Sequence, residues 1–181
     1  GWSLGVLMRQ LVTIYEAYVS GKSPSLPELS IQYADFAQWQ REWFQGDELQ
    51  RQLSYWKRQL AGRLPVLAIP TDRPRSAIQS YEGAWEYFKV SKKLTEGLKA
   101  VGGRQGATLF MSLMAAFNAL LHRYTGQDDI LVGSPIANRK QSELEELIGY
   151  FANTLFLRTS LADNPTFRDL LDSVREVALD A

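Results

Sequence analysis

The sequence predicts an α/β chain in which helices cover a sheet. Two observations carry this reading. Apolar residues recur at helical spacing along most of the chain, and short apolar runs interrupt the helical pattern in its second half, giving the order β-α-α-β-α-β-α there. The totals agree: 181 residues, 45% hydrophobic and 22% charged, describe an ordinary globular chain with a sizeable core.

The composition also excludes several classes of function. Lys plus Arg and Asp plus Glu balance at 20 each, so nothing in the overall charge calls for nucleic acid or an anionic membrane. Cysteine is absent, which removes disulfides, thiolate metal sites and a cysteine nucleophile together and fits a reducing cytoplasm. The longest apolar stretch, Leu109 to Leu121, contains Ser112 and Asn118 and is shorter than the roughly 17 to 25 residues a membrane span needs. The opening "GWSLGVLMRQL" has no basic region and no cleavage pattern, so it reads as the middle of a domain rather than a targeting peptide.

Taken in order, the elements are these. Ser3 is a plausible N-cap for a helix carrying Leu4, Leu7, Met8, Leu11, Ile14, Tyr15 and Tyr18, stopped by Gly21. "SGKSPSLPEL" is a loop by its Ser, Gly and Pro content. Two aromatic-rich helices follow, one with Tyr33, Phe36, Ala37, Trp43 and Phe44, the other with Leu49, Leu53, Trp56 and Leu60 before Gly62. "GRLPVLAIPTDRPRS" should run extended, because Pro65, Pro70 and Pro74 fix φ and push their predecessors out of the α region. Then come a strand over Ala84 to Val90, a helix over Lys92 to Val101, and a helix over Leu109 to Tyr124 whose apolar residues on nearly every face predict burial. "DDILVGSP" is a short strand, Ser142 and Glu145 have capping-box spacing for a brief helix, "IGYFANTLFLR" reads as a buried strand, and Phe167, Leu170, Leu171, Val174 and Ala178 form the last helix.

Few residues offer chemistry. His122 is the only histidine; it sits near a helix end favoured by the macrodipole and lacks a nucleophile or carboxylate at triad spacing. Asp128-Asp129 and Glu145-Glu146 point different ways on a turn and a helix start, which suits solvation better than acid/base work. "VGGRQG" lacks the Lys-Ser/Thr ending of a phosphate loop and reads as a loop between helices, and no metal-ligand spacing occurs. The polar insertions in the strands are more telling. Asn153-Thr154 would cost on the order of 1 to 3 kcal/mol if buried without partners, so backbone, water or substrate must satisfy them. "GSPIANR" places Ser134, Asn138 and Arg139 just after another strand, where α/β folds keep ligands, although an ordinary turn has the same composition. Two such clusters on neighbouring strands suggest one lined channel.

Together these segments resemble the condensation domains of nonribosomal peptide synthetases. "YADFAQW" (33 to 39) is similar to the family's Tyr-x-Asp-Phe/Tyr-Ala-x-Trp motif, and "IGYFANT" (148 to 154) to its Ile/Val-Gly-x-Phe-Val-Asn-Thr motif, with Ala152 where Val is usual. "IPTDRPR" (69 to 75) resembles the inter-lobe connector, and "GSPIANR" the segment before the second motif. The opening "GWS" is similar to the end of the active-site signature His-His-x-x-x-Asp-Gly and its usual continuation Trp-Ser, which makes Gly1 the signature's last residue and places both histidines and the aspartate upstream. The family's Asp-Phe-Gly-Trp-Gly segment is likewise absent, so the resemblance implies a piece cut at both ends and inactive by itself.

The resemblance implies a chloramphenicol-acetyltransferase-like architecture of two lobes, here partial: residues 1–62 end the N-lobe, 63–82 connect, and 83–181 begin the C-lobe. It further implies amide formation between an acyl or peptidyl thioester and an aminoacyl amine, with no cofactor bound directly. Phosphopantetheine arms on donor and acceptor carrier domains would deliver both, beside an adenylation domain in a cytoplasmic multidomain protein. No nucleic acid, membrane or metal is expected. Trp2, Ser3, Ser134, Asn138, Arg139, Asn153 and Thr154 are the expected channel residues, with Ser3 near a helix N-terminus that can meet a polar substrate group. Tyr33, Asp35 and Trp39 are expected to be structural, since they do not share one helical face. Epimerisation, heterocyclisation and a non-catalytic lobe that docks carrier domains are the alternatives with the same architecture.

Overall fold

The computed structural model describes every residue except 75–77 and 79. Part of the segment similar to the connector therefore lies outside the described residues. The chain forms two compact units that do not follow its linear order: unit 1 is Gly1–Leu60 with Ser134–Leu155, and unit 2 is Ala61–Gly133 with Phe156–Ala181.

In unit 1, α1 (Trp2–Val19) is followed by α2 (Tyr33–Trp43) and α3 (Gly46–Gln59). Ser3 is not the N-cap expected of it. That position belongs to Gly1, and Ser3 lies inside the helix. Gly21, at φ 65°, closes α1 in the left-handed conformation: Lys22 N–H reaches Ala17 O at 2.8 Å and Gly21 N–H reaches Tyr18 O at 3.1 Å, which satisfies carbonyls the helix would leave unpaired. α2 starts with the Asp35 carboxylate accepting from Gln32 N–H at 2.7 Å. The core of this unit is Phe36, Leu144, Leu147 and Phe151, flanked by Leu29 and Ile31. Leu144 comes from a 3-10 turn, Ser142–Leu144, which Ser142 enters without the predicted side-chain cap.

Unit 2 contains α4 (Lys92–Arg104), α5 (Leu109–Thr125) and α6 (Phe167–Asp180), each opened by a hydroxyl cap, from Ser91, Thr108 and Thr166 respectively. At α6 the cap is reciprocal, and the Thr166 hydroxyl and then its backbone N–H hold the Asp169 carboxyl below its usual range. "VGGRQG" is not a loop over its whole length, because α4 continues through Gly102, Gly103 and Arg104. Gly102 is buried there, and a Cβ on it would press on Ser112 Oγ and on Ala107 O. α5 buries Met111, Ser112, Met114, Ala115, Asn118 and Leu121. Its other face is open, with Phe110, Leu113, Phe117, Leu120 and Tyr124 exposed, so the predicted burial holds for one side only.

Two strands, β1 (Asp129–Ile136) and β2 (Asn153–Ser160), make one sheet. Leu161 N–H donates to Asp128 O at 2.7 Å, so the start of β1 lies beside the end of β2 and the pair is antiparallel. Ala84–Val90, predicted as a strand, is outside the sheet: the segment has no ladder partner among the described residues, and Trp85, Tyr87 and Phe88 are more than four-fifths exposed. An alternating pattern makes a strand only when a neighbour takes its backbone groups.

Unit 2 instead uses side chains to hold the start of the connecting segment. Arg158, on β2, pairs with the Asp129 carboxylate of β1 at 2.8 Å and donates to Ala61 O at 2.7 Å and Arg63 O at 3.3 Å. Gln127 then acts as a short stretch of strand, its amide donating to Val66 O at 3.1 Å and accepting from Ala68 N–H at 2.8 Å. In the full-length protein Arg158→Lys keeps a charge but not the fork that serves carboxylate and carbonyls together. It is expected to speed tryptic cleavage at Arg63–Leu64 by about tenfold, the factor that ~1.4 kcal/mol of lost restraint corresponds to. Cleavage after Arg123, inside α5, should stay at the wild-type rate, and equal acceleration at both sites would mean general unfolding.

Candidate functional site

Unit 1 contains all the residues the sequence singled out for a channel. At its centre is the backbone of Gly149–Phe151, and three segments converge on it. From α1, the Ser3 hydroxyl donates to Gly149 O at 2.7 Å and accepts from Gly149 N–H at 3.1 Å. From the segment after β1, Arg139 donates to Ser3 Oγ at 3.0 Å and to Leu144 O. The same guanidinium lies 4.0 Å above the Phe151 ring and 5.7 Å from the Trp2 ring. From α2, the Tyr33 hydroxyl donates to Tyr150 O at 2.8 Å, and its ring meets Phe151 edge-on at 5.1 Å. Burial pushes the Arg139 guanidinium below its ordinary pKa, and the two acceptors and aromatic faces are what it receives in exchange for water.

Beside this cluster an open hollow of about 280 Å3 is lined by Gly1, Trp2, Gly5, Val6, Arg9, Glu145 and Glu146. Trp2 forms one wall, tied down by its indole N–H donating to Glu145 O at 2.9 Å. Arg9 and Glu146 close another with an ion pair at 2.7 Å. The hollow opens on the first turn of α1, where a helix presents unpaired N–H groups and the positive end of its dipole.

The other expected residues are placed as follows. With Asp128 beside Leu161 in the antiparallel register, Ser134–Ile136 run alongside Asn153–Leu155, so Ser134, Asn153 and Thr154 share one end of the sheet. The burial expected for Asn153 and Thr154 is wrong. Both are exposed, β2 begins only at Asn153, and the Asn153 amide oxygen accepts Thr154 N–H at 2.8 Å. No buried amide has to be satisfied there. Asn138 stands at φ 51°, a conformation Asn tolerates better than most residues, and so turns the chain between β1 and Arg139. Trp39 stacks on Trp43 at 5.6 Å along α2. His122 is in unit 2, with Nδ1 3.1 Å from Gln127 O and 3.3 Å from the Asp128 carboxylate. Among the described residues no group of His, Asp or Glu is arranged to hold a metal, and no helix is long and apolar enough to cross a membrane.

Sequence reasoning missed the roles of Gly149, Tyr150, Glu145 and Leu144. All four act through backbone atoms, which leave no mark in residue type. Gly149 did carry a signal, a glycine inside an apolar run, which points to close approach of another group.

The family model of the condensation domain matches residues 1–181. The chain belongs to the condensation-domain family. It is 55% identical over its whole length to a component of the linear gramicidin synthase of Brevibacillus parabrevis and 44% identical to phosphinothricin tripeptide synthetase of Streptomyces viridochromogenes. It spans 2% and 17% of those two proteins. Among solved structures it is similar to the SgcC5 protein of Streptomyces globisporus, with 32% identity and a TM-score of 0.85 over all of this chain and 40% of that one. The X-domain from teicoplanin biosynthesis matches with 28% identity and a TM-score of 0.88 over 98% of this chain and 41% of that one. The mixed helix-and-strand structure agrees with the expected α/β class and with a partial two-lobe fold.

Arg139→Lys should test how the cluster is held. Lysine has one ammonium where the fork reaches Ser3 and Leu144 and stacks on Phe151. A stability loss of roughly 1.5 to 3 kcal/mol is expected from charge-assisted bonds alone, read as a lowered denaturation midpoint of the full-length protein; an unchanged midpoint would show that the fork is not needed.

Proposed function

We propose that this chain is the part of a peptide-forming condensation domain that follows the catalytic signature, and that Trp2, Ser134, Asn138, Asn153 and Thr154 border the path of carrier-borne substrates. The observation that carries the reading is the whole-chain match to the condensation family, with those residues falling in a single compact unit, although of the five only Trp2 lines the hollow at the start of α1. N-lobe, connector and C-lobe are assigned to residues 1–62, 63–82 and 83–181 on the same reading.

The chemistry such a wall can serve is aminolysis of a thioester. The acceptor amine attacks the donor carbonyl carbon, the C–S bond breaks, and the donor arm leaves as a thiolate that takes up the proton given up by the amine. Two phosphopantetheine arms supply the reactants, delivered by carrier domains of a multidomain synthetase that also contains an adenylation domain. Holding them in line replaces a bimolecular encounter and can account for several orders of magnitude in rate. A histidine preceding Gly1 is the proposed base. Amide and hydroxyl donors near the reacting carbonyl favour the tetrahedral oxyanion, and removing one such donor typically costs about 10²- to 10³-fold in kcat.

A second reading has its own support. The X-domain similar to this chain was also solved in complex with OxyB, so a fold of this kind can serve as a docking lobe. One experiment separates the two. The full-length protein is given donor and acceptor carrier domains loaded with thioesters, and amide product is followed by mass spectrometry. Product formation, lost when the second histidine before Gly1 becomes alanine and reduced about tenfold or more by Asn153→Ala, is the expected result. Carrier binding without product would favour docking, and a sequence before Gly1 lacking His-His-x-x-x-Asp would exclude amide formation by this mechanism.

A further inference from the structure

Ser3 was expected to offer its hydroxyl to substrate, but that hydroxyl has nothing left to offer. It has one donor and two acceptor sites. The donor is used on Gly149 O, and the acceptors on Gly149 N–H and Arg139. The Tyr33 hydroxyl is similarly engaged with the next carbonyl, Tyr150 O. Its ring lies so close to Gly149 that a Cβ built there would collide with three ring carbons.

We propose that Ser3 and Tyr33 are positioning residues for the condensation reaction, acting as two jaws that fix the backbone of Gly149 and Tyr150, and that Gly149 lacks a side chain so that the Tyr33 jaw can close. The held backbone ends two residues short of β2, whose first residues are Asn153 and Thr154. Fixing Gly149 and Tyr150 sets where that strand begins and the direction in which its amide and hydroxyl point. Errors of about 1 Å in such a placement are enough to cost on the order of 10²-fold in rate. The catalytic consequence rests on the proposed amide-forming function; the clamp itself does not.

The test uses the full-length protein and two independent readouts. By hydrogen exchange, Ser3→Ala should speed exchange at Gly149 N–H by at least tenfold while Ser3→Thr, which keeps the hydroxyl, stays near wild type. By kinetics with loaded carriers, Ser3→Ala and Gly149→Ala should each lower kcat at least tenfold with KM changed less than threefold, and Ser3→Thr should recover most of the loss. Gly149→Ala should be harmless once the ring is gone, so the double variant with Tyr33→Ala should be no slower than Tyr33→Ala alone. Wild-type exchange at Gly149 in Ser3→Ala, or single effects that simply multiply in the double variant, would overturn the clamp. A wild-type protein that makes no amide but shows the predicted exchange would refute the function and leave the clamp standing.

Discussion

Backbone polar groups outside a helix or a ladder still have to find partners, and in unit 1 this requirement shapes everything around Gly149. The stretch from Gly149 to Phe151 precedes β2 and receives no ladder bonds among the described residues, and side chains bond its first part: Ser3 both polar atoms of Gly149, and Tyr33 the Tyr150 carbonyl. The Tyr33 jaw depends on the absence of a side chain at 149, because its ring occupies the space a Cβ would fill. The first turn of α1, the first turn of α2 and the turn after β1 are thereby gathered at one place, although they are separated by long stretches of sequence. The apolar contribution comes from Phe36, Leu144, Leu147 and Phe151, which seat the same segment from beneath.

Unit 2 solves the same problem with different chemistry. Its connecting segment has prolines at 65 and 70 and cannot donate at either, so a regular ladder is unavailable to it. Gln127 substitutes for a strand at Val66 and Ala68, and Arg158, neutralised by Asp129, satisfies the carbonyls of Ala61 and Arg63. Polar side chains are used here as movable pieces of backbone. Asn118 is the exception, buried in α5 with neither amide atom bonded within the described protein.

These devices also explain what could be read from the sequence. Helical periodicity identified α1 through α6 well, since it depends on each segment alone. It overstated burial in α5, because an all-round apolar pattern says that faces are apolar but not what covers them. Ala84–Val90 failed for a related reason: alternation specifies a strand's faces, while membership of a sheet depends on a neighbour that the segment does not name. The chain spans about 40% of the similar solved chains, so its sequence records packing suited to a larger body. The site residues were recognisable as a group through the motifs in which they lie. Their partners were not, because Gly149 O, Tyr150 O, Glu145 O and Leu144 O are carbonyls that any residue possesses.

The exposed position of Asn153 and Thr154 changes the physical meaning of the motif they end. Had they been buried, their first role would have been to satisfy each other or the backbone, and a substrate would have had to displace those bonds. Being exposed at the start of β2, with Thr154 N–H already matched to the Asn153 oxygen, they incur no such penalty before a ligand arrives. On the proposed function, what a reaction would need from them is direction, which the restrained residues just upstream would supply. The Ser3 hydroxyl, fully engaged with Gly149 and Arg139, would on that same function serve by holding the backbone that aims Asn153 and Thr154, since donors set in advance need not reorganise when charge develops on the substrate.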